Sequence, residues 1–181
     1  MRRNLLLCTL LMLGSSPQAA DADTGFSDPA TPEDVARVYW ATFPNGDNLP
    51  EGSGTVMDGK LLYETHCASC HGLEGEGALA DQLVGGAGTL DGDAPIMTIG
   101  SYWPYATTVF NYIRRAMPYN APMSLSNDDY YALTAYLLNM NDVIAADTVI
   151  DKDSLPKVRM PNRDGFVNAN PDVSKEYDYA E

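Results

Sequence analysis

Cys67, Cys70 and His71 stand together in the run Cys67-Ala68-Ser69-Cys70-His71. Two thiols at this spacing can each add to a vinyl group along one edge of a porphyrin, and the next side chain then sets an imidazole beneath the iron. Cys-x-x-Cys-His is the attachment signature of a covalent c-type haem. Other chemistries fit these residues less well. A Cys2His2 zinc centre would have to draw all its ligands from the stretch His66 to His71, without the separated pairs that structural zinc sites use. A thioredoxin-like redox pair calls for a preceding strand and a βαβ pattern, and neither is legible. A plain disulfide leaves the histidine unexplained.

An iron held by one histidine needs a ligand on its other face. His66 immediately precedes the attachment loop and cannot reach across, and the chain has only 2 histidines. A methionine thioether is the alternative, and it raises the reduction potential. Downstream of the motif lie Met97, Met117, Met123, Met140 and Met160. Met140 falls towards the end of a helix and reads as core, while Met97 and Met160 read as loop residues packed on a neighbour. Met117 and Met123 share an irregular stretch between two helices, stiffened by Pro118 and Pro122. On the residues alone both remain candidates. Tyr102, Trp103, Arg114 and Arg115 are candidates for hydrogen bonds to the anionic haem propionates, which are costly to bury unpaired. Tyr119 and Asn120 are candidates for orienting the methionine loop.

The elements that must position these groups read as helices. Residues from about Thr55 to His66 lead helically into the motif, and Ser101 to Arg115 contains a second helix. The clearest begins at Ser126, where Ser126-Asn-Asp-Asp129 supplies an N-cap and an acidic first turn, and apolar residues recur through Leu138. A shorter candidate runs from Thr31, an N-cap followed by Pro32, to Trp40. The chain is expected to divide into a signal peptide (1–22), an N-terminal extension (23–54), a haem-binding domain (55–145) and an extended tail over the domain surface (146–181).

The first of these segments has a basic start at Met1-Arg-Arg-Asn4, an apolar stretch from Leu5 to Leu13 and small residues after it. That is the anatomy of a secretory signal, too short and wrongly flanked for a membrane span. Cys8 would be removed with it, leaving Cys67 and Cys70 as the only cysteines. The expected location of the mature protein is the periplasm, in soluble form without a membrane span.

The charge is lopsided: 25 acidic against 11 basic residues, a net charge of −14. No lysine or arginine occurs between Lys60 and Arg114, whereas Glu64, Glu74, Glu76, Asp81, Asp91 and Asp93 all fall there. Such a field rules out nucleic acid as a partner and favours a positively charged protein surface.

Gly59 and Tyr63 before Cys67-x-x-Cys-His71, with Ala135-Tyr136-Leu137 as their partner, resemble the crossing helices of class I cytochromes c. More specifically, Thr98-Ile-Gly-Ser-Tyr-Trp-Pro-Tyr-Ala-Thr-Thr-Val-Phe110 and Tyr112-Ile-Arg-Arg-Ala-Met-Pro-Tyr-Asn-Ala-Pro122 resemble the cytochrome subunit (SoxD) of Sox-type sulfane or sulfite dehydrogenases and its monohaem relatives. Ser126 to Asn139 and Val158-Arg-Met-Pro-Asn-Arg-Asp-Gly165 extend the likeness, which covers roughly Thr31 to Phe166. It implies an all-α, class I cytochrome c fold around one covalent haem c. It also implies that Met117, in Ala-Met-Pro, is the axial ligand opposite His71. Sox-type subunits commonly carry two haems, so this chain with one attachment motif resembles a single-haem version.

The function implied is single-electron transfer without catalysis. Electrons would come from a molybdenum-containing sulfite-type dehydrogenase and pass to a downstream cytochrome or oxidase of the respiratory chain. Two alternatives stand beside it. One is a permanent haem subunit of an oxidoreductase complex, with the N- and C-terminal segments clasping the partner. The other is a haem enzyme acting on a sulfur compound, which would need acid–base groups over an open iron site.

Overall fold

The computed structural model describes residues 31, 32 and 41–167. The chain divides into two units, Met1–Tyr39 and Trp40–Glu181, and every helix and strand named here lies in the second. The expected signal peptide, most of the Thr31–Trp40 helix and the last part of the tail lie outside the described residues.

Strand β1 (Ser53–Thr55) runs directly into helix α1 (Val56–His66). Thr55 is the hinge between them. Its extended backbone ends the strand, and its hydroxyl accepts from Asp58 N at 3.1 Å, capping the helix. The single turn α2 (Ala68–His71) comes next, then helix α3 (Ala106–Ala116) and helix α4 (Asn127–Met140). Helix α3 buries Ala106, Val109, Phe110 and Ile113, the i, i+3, i+4, i+7 stripe of a helix lying on a core. Helix α4 starts as its sequence demands: Ser126 caps Asp129 N, and the Asp129 carboxylate accepts in return from Ser126 N.

Helix α4 is the spine of the structure. Tyr130, Tyr131, Leu133, Ala135, Leu137 and Leu138 are all buried on it. Helix α1 crosses it at Gly59, where an added Cβ would lie 1.9 Å from the Ala132 carbonyl oxygen and 2.7 Å from Tyr136 Cβ. Only a residue without a side chain permits that approach. One turn later Tyr63 and Tyr136 bring their rings 5.4 Å apart, tilted by 57°. The Gly59–Tyr63 crossing is therefore present, with Ala132 as its tightest contact. Gly54 in β1 meets the same helix, its hypothetical Cβ 2.1 Å from Ala132 N.

The expectation for the chain after Ala146 needs correction. It was expected to lie over the surface, but Val149–Asp151 form strand β2, antiparallel to β1, with Gly54 opposite Ile150. Ile150, Leu155 and Met160 are then 1%, 0% and 1% exposed. Fully burying each such side chain contributes about 1.5–3 kcal/mol. The segment is polar on average, and its three buried residues are too widely spaced to show a period.

Candidate haem site

Helix α1 ends where Cys67 N donates to Tyr63 O at 2.8 Å, and α2 turns at once beyond it. Cys70 N and His71 N both donate to Cys67 O, at 3.1 and 3.0 Å. The two cysteines and the histidine thus ride on one short, backbone-bonded turn. Neither thiol is in a disulfide. Cys67 is half-buried against the core, and Cys70 is exposed. Burial, reinforced by the neighbouring Cys70, pushes the Cys67 thiol up to about 11. A redox-active Cys-x-x-Cys pair needs the opposite shift, towards thiolate.

The loop after the motif folds back under it. Gly77 N donates to His71 O at 2.7 Å and Ala80 N to Cys70 O at 2.9 Å. Gly72 has φ of +84°, a conformation that favours glycine, and the Glu76 carboxylate lies against it, 2.2 Å from where a Cβ would stand. The buried Tyr63 hydroxyl donates to the Gly72 carbonyl at 2.8 Å, tying the loop to α1. At the end of the loop, His71 Nδ1 donates to the Asp81 carbonyl at 2.8 Å. That bond fixes the ring orientation and, in the neutral ring, the tautomer whose Nε2 electron pair a metal-ligating imidazole needs. The donor set fits a covalent haem: two unpaired thiols on one turn and an oriented imidazole beside them.

Met117 lies at the C-terminal end of α3, in extended backbone at φ −126° and ψ 150°, half-buried against the core. Its amide donates to Ile113 O at 2.8 Å, and its carbonyl accepts from the Tyr130 hydroxyl at 3.3 Å. The same hydroxyl oxygen accepts from Leu125 N at 3.3 Å, so one phenol on α4 ties both ends of the loop between the helices. Met123 is 60% exposed and has φ of +60°, a conformation unusual for a side-chain-bearing residue. Tyr119 is 87% exposed, and Asn120 is exposed too; the hydroxyl that orients the methionine loop belongs to Tyr130 instead.

Of the candidates for propionate contact, Trp103 is half-buried against the core and meets the Tyr112 ring edge-on at 5.5 Å. Tyr102 is partly exposed and lies edge-on to Phe166 at 5.3 Å. Arg114 is half-buried, and burial lowers its guanidinium from the usual value, with Tyr130 and Tyr131 acting against that. Arg115 is exposed. Two cavities, of about 260 and 390 Å³, open between the 87–102 region and residues 161–166. Neither is lined by Cys67, Cys70, His71 or Met117.

The family model for cytochrome c matches residues 56–141, from the first residue of α1 to just past the end of α4. The chain belongs to the cytochrome c family. Among solved structures, a chain of the sulfane dehydrogenase SoxCD from Paracoccus pantotrophus is 38% identical to this cytochrome with a TM-score of 0.74. The match covers 87% of this chain and 79% of that one. The comparison with curated proteins gives no match. The cytochrome c family implies haem c as cofactor and electron transfer as role, and the fold is the mostly helical one expected, with the β1–β2 pair added. Among the described residues no helix is long and apolar enough to cross a membrane.

Three contributors to the cytochrome's site were not legible in the sequence. The Asp81 carbonyl is a backbone group and carries no side-chain signal. Tyr63 was visible as a helix-crossing aromatic, but its bond to Gly72 depends on where the loop returns. Tyr130 read as one more apolar position of α4, and only the packing of α4 beside the Met117 loop gives its hydroxyl a task.

Proposed function

We propose that this cytochrome is a periplasmic single-electron carrier with one haem, bound covalently through Cys67 and Cys70 and ligated by His71 and Met117. The single observation that carries the reading is the His71–Asp81 bond within a Cys-x-x-Cys-His turn, which presents an oriented imidazole beside two free thiols. A haem held there supplies an Fe(III)/Fe(II) couple. The protein's own residues do the rest. His71 is held in one tautomer by Asp81, Met117 is held half-buried by Tyr130, and the packed helices limit reorganisation as charge changes. Methionine in the sixth position favours a raised potential and leaves no open site for substrate. Met117 is supported over Met123 by its burial and its extended backbone.

The likeness to a SoxCD chain supports a molybdenum sulfane or sulfite dehydrogenase as the electron donor, with a downstream cytochrome or oxidase as acceptor. The same likeness favours a second reading, in which the cytochrome stays bound to that dehydrogenase as a subunit. Gel filtration of the two proteins together separates a stable complex from a collisional pair.

The ligand test uses haem-loaded protein. Oxidised wild type is expected to show the weak near-infrared sulfur-to-iron band, Met117→Ala to lose it, and Met123→Ala to keep it. The reverse pattern would move the ligand to Met123. Stopped-flow reduction by a purified molybdenum sulfane or sulfite dehydrogenase tests the donor. No reduction with active enzyme and its substrate would remove that class of partner.

A further inference from the structure

We propose that the segment Val158–Phe166 is a strap that fixes the turn Tyr102–Tyr105, and that Asn162 is the positioning residue through which it steadies the methionine side of the haem site. This rests on the reading of Met117 as axial ligand, and it goes beyond the ligand set.

The contacts converge on one short turn. Tyr105 and Arg159 form an antiparallel bridge. Asn162 Nδ2 donates to the Tyr102 carbonyl at 2.7 Å. The Arg163 guanidinium sits 4.0 Å from the centre of the Tyr105 ring, a cation–π distance. Phe166 meets the Tyr102 ring edge-on at 5.3 Å. The strap is anchored from behind by Met160, 1% exposed in the core, and it closes on itself through the Arg159–Asp164 ion pair and the bond from Gly165 N to Asn162 O.

Asn162 is the pivot. A Cβ on Gly165 would lie 1.8 Å from Asn162 Oδ1, so a side chain there would drive the Asn162 amide away from Tyr102. Little on the other side would compensate. The two cavities of about 260 and 390 Å³ both have Asn162 in their lining, so the strap is not packed firmly against the 87–97 region. Apart from Met160, it is held by its bonds to the turn.

The turn matters because helix α3 starts from it. Tyr105 is the N-cap position of α3, and Met117 is the cap position at the other end of that 11-residue helix. That helix is about 16 Å of continuously hydrogen-bonded backbone joining the turn to Met117. Trp103 also grips it from the side through Tyr112. A shift of the Tyr102–Tyr105 turn is thus carried to the residue proposed to reach the iron.

The test is competition for the sixth site by imidazole in the full-length, haem-loaded protein, read from loss of the near-infrared band. Asn162→Ala and Gly165→Ala are expected to let imidazole displace the methionine at roughly two- to tenfold lower concentration, the scale of one lost hydrogen bond. Glu51→Ala, which breaks the exposed pair with Lys152 and removes none of the bonds between strap and turn, serves as control and should leave the midpoint in place. Hydrogen exchange of the Tyr102–Thr107 amides reads the strap without reference to the ligand, and should quicken in Asn162→Ala and Gly165→Ala alone. Unchanged exchange and an unchanged imidazole midpoint in both variants would overturn the proposal, as would an equal change in the control. If Met117→Ala keeps the band while exchange responds as expected, the ligand reading fails and the strap stands as a hold on the turn.

Discussion

From Cys67 to Asp81 the chain makes most of its own contacts. Its cysteines and histidine share one turn, its loop returns through bonds to His71 O and Cys70 O, and Asp81 closes it on the imidazole. From Tyr102 to Met117 the chain depends on others. Tyr102 and Tyr105 are held from residues 159–166, and Met117 is held by Tyr130 of α4. A contiguous site carries its geometry in a short run of sequence. A composite one exists only once distant segments have packed, so it should yield first when packing is disturbed.

The largest effect should come from the self-contained region. Replacing Cys67 and Cys70 together by alanine removes both points of attachment, and mass spectrometry of the denatured, exported protein should find it lighter by one haem than wild type. Haem that survives acid–acetone extraction in this double variant would mean that attachment lies elsewhere. The mass should keep its haem in Met117→Ala and Asn162→Ala, because neither alters the motif turn. Loss of haem there would erase the contrast between the two regions.

Next comes the crossing that both regions share. Gly59→Ala puts a methyl group 1.9 Å from the Ala132 backbone oxygen, which no side-chain rotation can relieve. Overpacking of this kind costs about 1–3 kcal/mol, so the denaturation midpoint in urea should fall with little change in slope. An unchanged midpoint would show that α1 can slide on α4 at no cost.

A smaller effect sharpens the distinction. Tyr130→Phe keeps the buried ring but removes the hydroxyl that joins Leu125 N and the Met117 carbonyl. The cost in stability should be about 1 kcal/mol. Heating should then bleach the sulfur-to-iron band some degrees below the global transition, while haem attachment is unaffected. If band and fold are lost together, the methionine loop is not an independently weak unit.

These differences also explain what could be read from sequence. The helix leading into the motif, the N-cap and acidic first turn at Ser126 and the Gly59–Tyr63 pair are local signatures, and each stands where it was expected. The helix expected within Ser101–Arg115 is present over Ala106–Ala116, but its starting point left no signal, because Tyr105 is drawn into the bridge with Arg159 and stays extended. The chain after Ala146 was misjudged for a related reason. Ile150, Leu155 and Met160 enter the core one at a time, from a strand, a 3₁₀ turn and a loop, and no periodicity joins them. Packing partners far apart in sequence leave no pattern in either segment.

The smallest effect concerns the exposed acids within and on either side of the self-contained region in sequence. Glu64, Glu74, Glu76, Asp81, Asp91 and Asp93 are all exposed, as are Leu73 and Leu79. Glu76 has an internal duty, since its carboxylate accepts from Glu74 N at 2.8 Å and lies against Gly72, so changing it would disturb the loop. The Glu64 and Glu74 side chains have no such bond to the attachment turn among the described residues, which makes them the cleaner probes of docking. If the electron donor meets this face with a basic surface, steering acts on the association rate and weakens as screening shortens to about 8 Å near physiological salt. Glu64→Gln and Glu74→Gln should each slow second-order reduction by about twofold at low salt, the scale of one exposed pair, and converge on wild type at high salt. Stopped-flow reduction across an ionic-strength series measures this. A rate flat with salt and equal in the variants would show that the acidic face serves solubility and that docking uses another surface.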